Sequence, residues 1–404
     1  MLKSDLAING GSKIRTRPLP YRKLFGEEEL KTVIQVFEES WKEEKDFGYQ
    51  DKFEKLYVDK FCEFQGGGFA DAVSSGTAAV YLSLCALDIK PGSGIIVSPV
   101  TDPGGINPVI FAGMKPIVAD SIPDGFNIDP DEFEKSITKN TRAALLTHLG
   151  GHPIDMGPIV EIAKDRGIKI IEDCSQAHGA LYKGKKVGCF GDVAAFSTMY
   201  RKMHATGGCG GLIYTKSKEI YWSIRSLADR GKPFYDPKFD LNSPYNPWKF
   251  LYPALNFNLD ELSCAIGIST LSRLQNTIDK RYEIAQKIDR ALEKSSIVSP
   301  CQHKSDCKPS LYFHTVEVDI KKLKVSKTKF AEAIAAEGIW INPDYRNVVA
   351  EWPWMQKYLN NKKTPNATNF RERTFNILFN ERFEDKEIED IIKSILKVES
   401  HFSK

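Results

Sequence analysis

Ile168-Lys169-Ile170-Ile171-Glu172-Asp173 and Phe196-Ser197-Thr198-Met199-Tyr200-Arg201-Lys202-Met203-His204-Ala205-Thr206-Gly207-Gly208-Cys209-Gly210-Gly211 decide the reading of this chain. The first is a short β-branched run ending in two acids, the pattern of a strand. The second is an apolar strand closed by a serine, then a lysine, then a glycine cluster. Lys202 is therefore expected on a compact loop rather than on a solvated helix face. In an open α/β sheet the carboxyl ends of the strands border the ligand crevice. A strand-end carboxylate at Asp173, followed 202 − 173 = 29 residues later by a loop lysine, suits a site for pyridoxal phosphate (PLP). Lys202 would carry the aldehyde as an imine, and Asp173 would keep the ring nitrogen protonated so that the ring withdraws electrons. A lone lysine is ordinarily a solvated surface charge, so the inference rests on the pair.

Working outward, short apolar runs alternate with helical stretches from residue 69 to residue 214: Phe69–Val73, Gly94–Val97, Pro116–Ala119, Ala143–Leu146, Ile168–Ile171, Ala194–Phe196 and Leu212–Tyr214. Strands spaced by helices predict βαβ units and a mostly parallel seven-stranded sheet flanked by helices, an α/β large domain. Ahead of it, Gly10-Gly11, Pro18 and Pro20 mark an extended arm over residues 1–24. Helices are expected from Gly26 to about Trp41 and between Phe53 and Phe64, the latter ending at Gly66-Gly67-Gly68. The large domain is set at 25–260, with Pro244-Tyr245-Asn246-Pro247-Trp248 as a loop within it. A smaller α+β domain is set at 261–404, with a periodic helix over Asp260–Leu274, a strand over Tyr312–Val318, and helices over Lys327–Glu337 and Lys386–Val398.

Composition narrows the function classes. The 404 residues, 42% hydrophobic, suffice for two cores. A formal charge of +3 on 56 basic and 53 acidic side chains is nearly balanced, so no nucleic acid or other polyanion is implied as a partner. The 8 cysteines show no CxxC and no metal-ligand spacing, which predicts free thiols and no metal site. The amino terminus lacks an apolar leader segment and no 18-residue apolar run follows, so a soluble, cytoplasmic protein without membrane contact is expected.

A second motif supplies the anion-binding end. Ser74-Ser75-Gly76-Thr77-Ala78-Ala79 follows a strand and opens a helix, whose unpaired N–H groups and partial positive charge suit a phosphate. Serine and threonine are also ordinary helix caps. Joined to Asp173 and Lys202, the phosphate reading prevails, with Ser197 offering a hydroxyl from the opposite side.

With these residues in hand, the chain resembles the DegT/DnrJ/EryC1/StrS family of PLP-dependent sugar aminotransferases, of fold type I, from Ile8-Asn9-Gly10-Gly11 to the last helix. The resemblance rests on Ser75–Ala79, on Glu172–Ala180 with Gly188 and Gly191-Asp192, and on Phe196-Ser197 through Lys202 to Gly211. It implies that Lys202 is the Schiff-base lysine, Asp173 the partner of the ring nitrogen, and Gln176 an amide beside the ring hydroxyl. Gly76, Thr77 and Ser197 match phosphate contacts. Asn256 matches an asparagine that reaches the phosphate of a neighbouring subunit, which implies a homodimer with shared active sites. There are departures from the family pattern. Asp102 stands where an aromatic ring usually stacks on the cofactor, so its loop is expected to meet ring or substrate differently. Asn258 replaces an arginine, Cys209 an acid, and Asn342-Pro343-Asp344-Tyr345-Arg346 a histidine-tyrosine region. These departures concern the substrate side.

The resemblance implies transfer of an amino group from glutamate or glutamine to a keto or aldehyde sugar in amino-sugar biosynthesis for a surface polysaccharide or lipopolysaccharide. The substrate departures leave room for a free keto-sugar acid, such as an oxidised 3-deoxy-octulosonate, or a keto-cyclitol in place of a nucleotide sugar. A PLP-dependent sugar dehydratase or deaminase is the alternative chemistry; a relative with histidine in place of the lysine dehydrates, whereas here the lysine is present and His204 lies two residues beyond it. His148 and His178 are expected to make structural hydrogen bonds, and His204 to be a loop-packing or substrate-contact residue. A non-catalytic regulatory homologue would show damage to the cofactor set, and Lys202, Asp173, Gln176 and Ser197 are intact.

Overall fold

The computed structural model describes residues 5–232, 250, 253–301 and 306–404. The loop expected at Pro244–Trp248 lies outside the described residues. Seven strands, β1 (Phe69–Val73), β2 (Gly94–Val97), β3 (Lys115–Val118), β4 (Thr141–Thr147), β5 (Lys169–Asp173), β6 (Val193–Ser197) and β7 (Gly211–Thr215), form one sheet in the order β1-β7-β6-β5-β4-β2-β3. From β3 across to β6 every pairing is parallel. Strand β7 runs antiparallel to both neighbours. The reason is local: residues 198–210 form turns and bends rather than a crossover helix, so the chain leaving β6 folds straight back. That return is the segment that carries Lys202.

Both faces of the sheet are buried, and successive residues alternate between them. Ile95, Val97, Leu145, Ile171, Ala195 and Ile213 join helices α3 (Gly76–Ala86) and α5 (Lys218–Ala228) in one core. On the opposite face, Ala72, Phe196, Leu212 and Tyr214 pack on α2 (Lys52–Gln65) and α6 (Glu261–Ser272). Further along that face, Ile96, Ala144, Leu146 and Ile170 pack on α4 (Met156–Arg166). A one-residue slip in any strand would exchange these faces, so burial on both sides fixes the register that aligns the strand ends. Preceding all of these, α1 (Glu27–Glu43) packs against α6.

The second core surrounds an antiparallel sheet, β8 (Val298–Pro300), β9 (His314–Val318), β10 (Ile341–Asn342) and β11 (Thr374–Ile377), in the order β8-β9-β11-β10. Of these strands only β9 stands out from the sequence; the others are three or four residues long or shorter, too brief for a period to show. Helix α7 (Leu274–Leu292) starts against the large sheet through Leu274 and Ile278 and ends in the second core through Ile284, Ile288 and Leu292. Helices α8 (Lys327–Ala336) and α9 (Asp385–Phe402) complete that core. The arm joins it too: Leu6 and Leu19 are buried there, and the fully buried Glu337 carboxylate accepts the N–H groups of Ala7 (2.9 Å) and Ile14 (3.1 Å). No helix among the described residues is long and apolar enough to cross a membrane.

Candidate active site

The carboxyl ends of β1, β5 and β6 and the loop after β2 open into one cavity of about 960 Å³. Gly76, Thr77, Asp102, Asp173, Gln176, Ser197 and Lys202 all line it. Asn256 does not; it is exposed in this chain, where its Oδ1 accepts from the backbone N–H (3.1 Å) and side-chain amide (2.8 Å) of Asn258.

At the anion end, the Ser75 hydroxyl caps α3 by accepting the N–H of Ala78 at 3.0 Å. The N–H groups of Gly76 and Thr77, ahead of it, have no intrahelical acceptor. Glycine is required here by space: a Cβ on Gly76 would stand 2.5 Å from the Ser197 Cβ, so the start of the helix and the end of β6 meet only because residue 76 has no side chain. The loop after β2 closes over the same point. A Cβ on Gly104 would lie 2.7 Å from Thr77 Oγ1, and one on Gly105 would lie 3.2 Å from Asp173 Oδ2. Asp102 shapes that loop by accepting the Gly104 N–H at 2.9 Å. Where the family pattern has an aromatic ring, this chain thus has a carboxylate that tightens its own turn.

Asp173 is nearly buried and its oxygens are held on separate sides. Oδ1 accepts the Ser175 N–H at 3.0 Å, and Oδ2 lies 3.4 Å from the Thr147 hydroxyl, itself 3.2 Å from Thr101 Oγ1. Gln176 is oriented by the Gly150 N–H, which donates to its Oε1 at 2.9 Å. Lys202 is 8% exposed, and burial pushes its ammonium below the ordinary lysine range against the opposing charges of Asp173 and Asp102. Its Nζ lies 4.7 Å from the centroid of the Tyr312 ring. The glycine-rich return is fixed by hydrogen bonds from Thr198 N to Gly210 O (2.9 Å) and between the Thr198 and Thr206 hydroxyls (2.7 Å). A helix start with free N–H groups, a buried carboxylate and a buried amine in one cavity match the phosphate, ring nitrogen and aldehyde of PLP.

The histidines divide. His148 Nδ1 accepts the Ile154 N–H at 3.0 Å, so its Nε2 carries the proton toward Glu172 at 3.0 Å. Glu172 also accepts the N–H groups of Gly188, Phe190 and Gly191 at 2.7 to 2.8 Å. Although burial opposes its charge, these donors hold the carboxyl below its ordinary value. His148, Glu172 and Cys174 stand within 4.8 Å of one another, the grouping a metal would need. The polar atoms of His148 and Glu172 are already committed to hydrogen bonds, and burial pushes the Cys174 thiol well up, so the group reads as internal support for the end of β5. His204 Nε2 meets the Tyr57 hydroxyl at 3.1 Å and Gly267 O at 3.3 Å, and burial pushes its pKa down to about 3. His178 departs from expectation: it is fully buried, and neither ring nitrogen has a hydrogen-bond partner among the described residues. Burial holds it neutral.

The cavity also gathers residues that the motifs do not mark: Tyr21 and Arg22 from the arm, Arg281 from α7, Tyr312 just before β9, and Trp340, Asn347 and Leu378–Asn380 from the second core. The substitutions Asp102, Cys209, Asn342 and Tyr345 line it as the substrate-side reading requires, whereas Asn258 lies with Gln50 and Asn256. Only the run Tyr312–Val318 carried a sequence signal, and it pointed to a strand that in fact begins at His314.

Comparison with known proteins accords with this geometry. The chain is 31% identical over 387 residues to the spore coat polysaccharide biosynthesis protein SpsC of Bacillus subtilis (strain 168), covering 94% of this chain and 97% of that one. It is 35% identical over 257 residues to GDP-perosamine synthase of Escherichia coli O157:H7, covering 64% and 66%. An aminotransferase structure from Psychrobacter cryohalolentis superposes with a TM-score of 0.87 at 26% identity, covering 95% and 99%. The pattern of the DegT/DnrJ/EryC1/StrS aminotransferase family matches residues 23–396. The chain belongs to that family, and it is a PLP-dependent aminotransferase.

Proposed function

We propose that this enzyme moves an amino group from glutamate or glutamine to the carbonyl carbon of a keto sugar, in the making of an amino sugar for a surface polysaccharide. The observation that carries the reading is the meeting of the buried Lys202 amine with Asp173 in the cavity capped by the Ser75-Gly76-Thr77 helix start. Bound PLP supplies an electron sink for the bond broken at the amino-bearing carbon. The chain's own residues do the rest. The N–H groups of Gly76 and Thr77, with the Ser197 hydroxyl, hold the phosphate. Asp173, kept in place by Ser175 and Thr147, is the counter-charge for the ring nitrogen. The Lys202 amine, favoured in its neutral form by burial, takes and returns the proton at the reacting carbon. Tyr312, Trp340 and Tyr345 wall the opposite side, where the sugar enters.

We further propose a homodimer in which Asn256 reaches the partner subunit's phosphate site. Leu30, Ile34, Phe37 and Trp41 of α1 recur at helical spacing and are 59%, 45%, 38% and 72% exposed, an apolar stripe on the outside of the large sheet's helical layer that a second copy would cover. We also propose a division into an arm at 1–24, a cofactor domain at 25–260 and a small domain at 261–404, the last sending α6 and the start of α7 back onto the large sheet. The Asp102 turn and Asn258 leave open a substrate without a nucleotide, such as a keto-sugar acid or a keto-cyclitol. The test is to load the protein with pyridoxamine phosphate and add keto sugars, with and without a nucleotide, following recovery of the aldehyde chromophore. Recovery with a keto sugar and formation of 2-oxoglutarate from glutamate support amino transfer. A deoxy-keto product without donor consumption would mean dehydration instead.

A further inference from the structure

Two arginines of the cavity wall share one carboxylate. Glu381, in the turn after β11, binds Arg22 of the arm through Oε1 (2.7 Å to Nε) and Arg281 of α7 through Oε2 (3.4 Å to Nη1). Burial by itself would push the Glu381 carboxyl up, but the two guanidiniums outweigh it and hold it below the ordinary carboxylate range. Each arginine spends its other donors on backbone carbonyls. Arg22 donates to the carbonyls of Lys202 and Met203, the latter at 2.7 Å. Arg281 donates to those of Leu311 and Tyr312, both at 2.8 Å. Two of the four residues held in this way, Lys202 and Tyr312, are the pair whose side chains meet in the cavity, amine over ring at 4.7 Å. The same turn also ties down the arm, since Asn380 Nδ2 donates to Pro20 O at 2.7 Å and Arg382 Nη1 to Tyr21 O at 3.2 Å.

We infer that Glu381 is a positioning residue for the Lys202 reaction: it joins Arg22 and Arg281 into one buried clamp that fixes the lysine's backbone against that of Tyr312, across the two cores. The inference rests on Lys202 being the reactive amine. An arginine fork is suited to this task because its planar donors fix direction as well as distance. Tyr312 then gives the free amine a fixed resting place over an aromatic face between proton transfers. Without the carboxylate, the buried Arg281 and the half-buried Arg22 guanidiniums repel each other, and the Lys202 return and the Tyr312 segment separate. A displacement of about 1 Å is enough to cost on the order of 100-fold in rate.

The groups facing the Lys202 amine are Asp173 at the end of β5, Asp102 in the loop after β2, His178 in the loop after β5, and Tyr312 ahead of β9. None of them is itself substituted in the variants E381Q and R22K. Two variants test it. E381Q removes the central charge; R22K keeps a cation for Glu381 but loses the fork on the Lys202 and Met203 carbonyls, and it decides the matter if E381Q does not fold. The first readout is the pH midpoint for acylation of Lys202 in cofactor-free protein, followed by peptide mass spectrometry. The second is kcat against KM in the loaded enzyme. Loosening the return admits water to the amine, so the midpoint moves up toward the ordinary lysine value while kcat falls by on the order of 10- to 100-fold at nearly constant KM. Y312L also opens the amine to water but removes the ring face that favours the ammonium, so its upward shift should be smaller than that of R22K, and Y312L combined with R22K should not exceed R22K alone. A folded variant with midpoint and kcat unchanged, or a fully additive double variant, overturns the clamp. Full turnover by K202R would instead overturn the assignment of Lys202 itself.

Discussion

At one end of the cavity, Ser75, Gly76, Thr77, Asp173, Ser197 and Lys202 stand at or just after the ends of neighbouring strands. At the other, Tyr21 and Arg22, Arg281, Tyr312, Trp340 and Leu378–Asn380 arrive from segments far apart in the chain. The first end inherits its geometry from sheet register, fixed by burial of both faces, so short motifs are enough to build it. The second depends on how the arm, α7 and the second core dock on the first, through the Arg22–Glu381–Arg281 ions and packing around Tyr312. Register gives the end that must hold a constant cofactor; docking gives the end that must fit a particular substrate.

The largest expected break lies at the cofactor end. K202A should lower turnover by at least about 10³-fold, since it removes the proton carrier, while the far-ultraviolet circular dichroism stays as in the parent. D173N should follow, with a loss of about 10²- to 10³-fold in kcat and a smaller change in cofactor retention measured by dialysis. G76A forces a Cβ to 2.5 Å from that of Ser197; a destabilisation of about 1 to 3 kcal/mol and faster loss of PLP are expected from thermal melts with and without cofactor. On the substrate side the signature changes. W340A should raise the KM for the keto sugar by on the order of tenfold with kcat nearly kept, and a fall in kcat alone would erase the distinction between the ends.

The smallest effect tests by pH how the ends are joined. Because the Glu381 carboxyl is held below its unfolded value by Arg22 and Arg281, its contribution is present above the unfolded pKa and is lost as pH falls through the folded one. Acidification below the ordinary glutamate range should therefore release the arm and the substrate side, at about 1 to 2 kcal/mol. Trp340 fluorescence and the cofactor absorbance should change together, because Glu381 also holds the Lys202 return through Arg22, and a cofactor absorbance that stays constant through the fluorescence change would show that the ends are independent.

Legibility in the sequence follows the same line. The seven runs from residue 69 to residue 214 were readable because strands buried on both faces are continuous apolar stretches. The antiparallel course of β7 was not, since it depends on a return without a helical period. In the second core, two- to four-residue strands such as Ile341–Asn342 leave no pattern to count. Asn256 was legible only through family resemblance, and a single chain leaves it outside its own cavity. His178 was expected to be hydrogen-bonded and proved to be buried with no hydrogen-bond partner among the described residues, because burial of one side chain depends on what docks over it, here Phe196 and His204.

By itself the sequence determined the chemistry: a strand-end acid, a lysine on a glycine-rich return and a glycine at the helix start are local demands, met within a few residues of each site atom. Tertiary structure alone decided the wall facing the sugar and the ionic clamp behind Lys202. Those contacts join residues 30 to 360 positions apart, and no short-range period or turn signal encodes separations of that length.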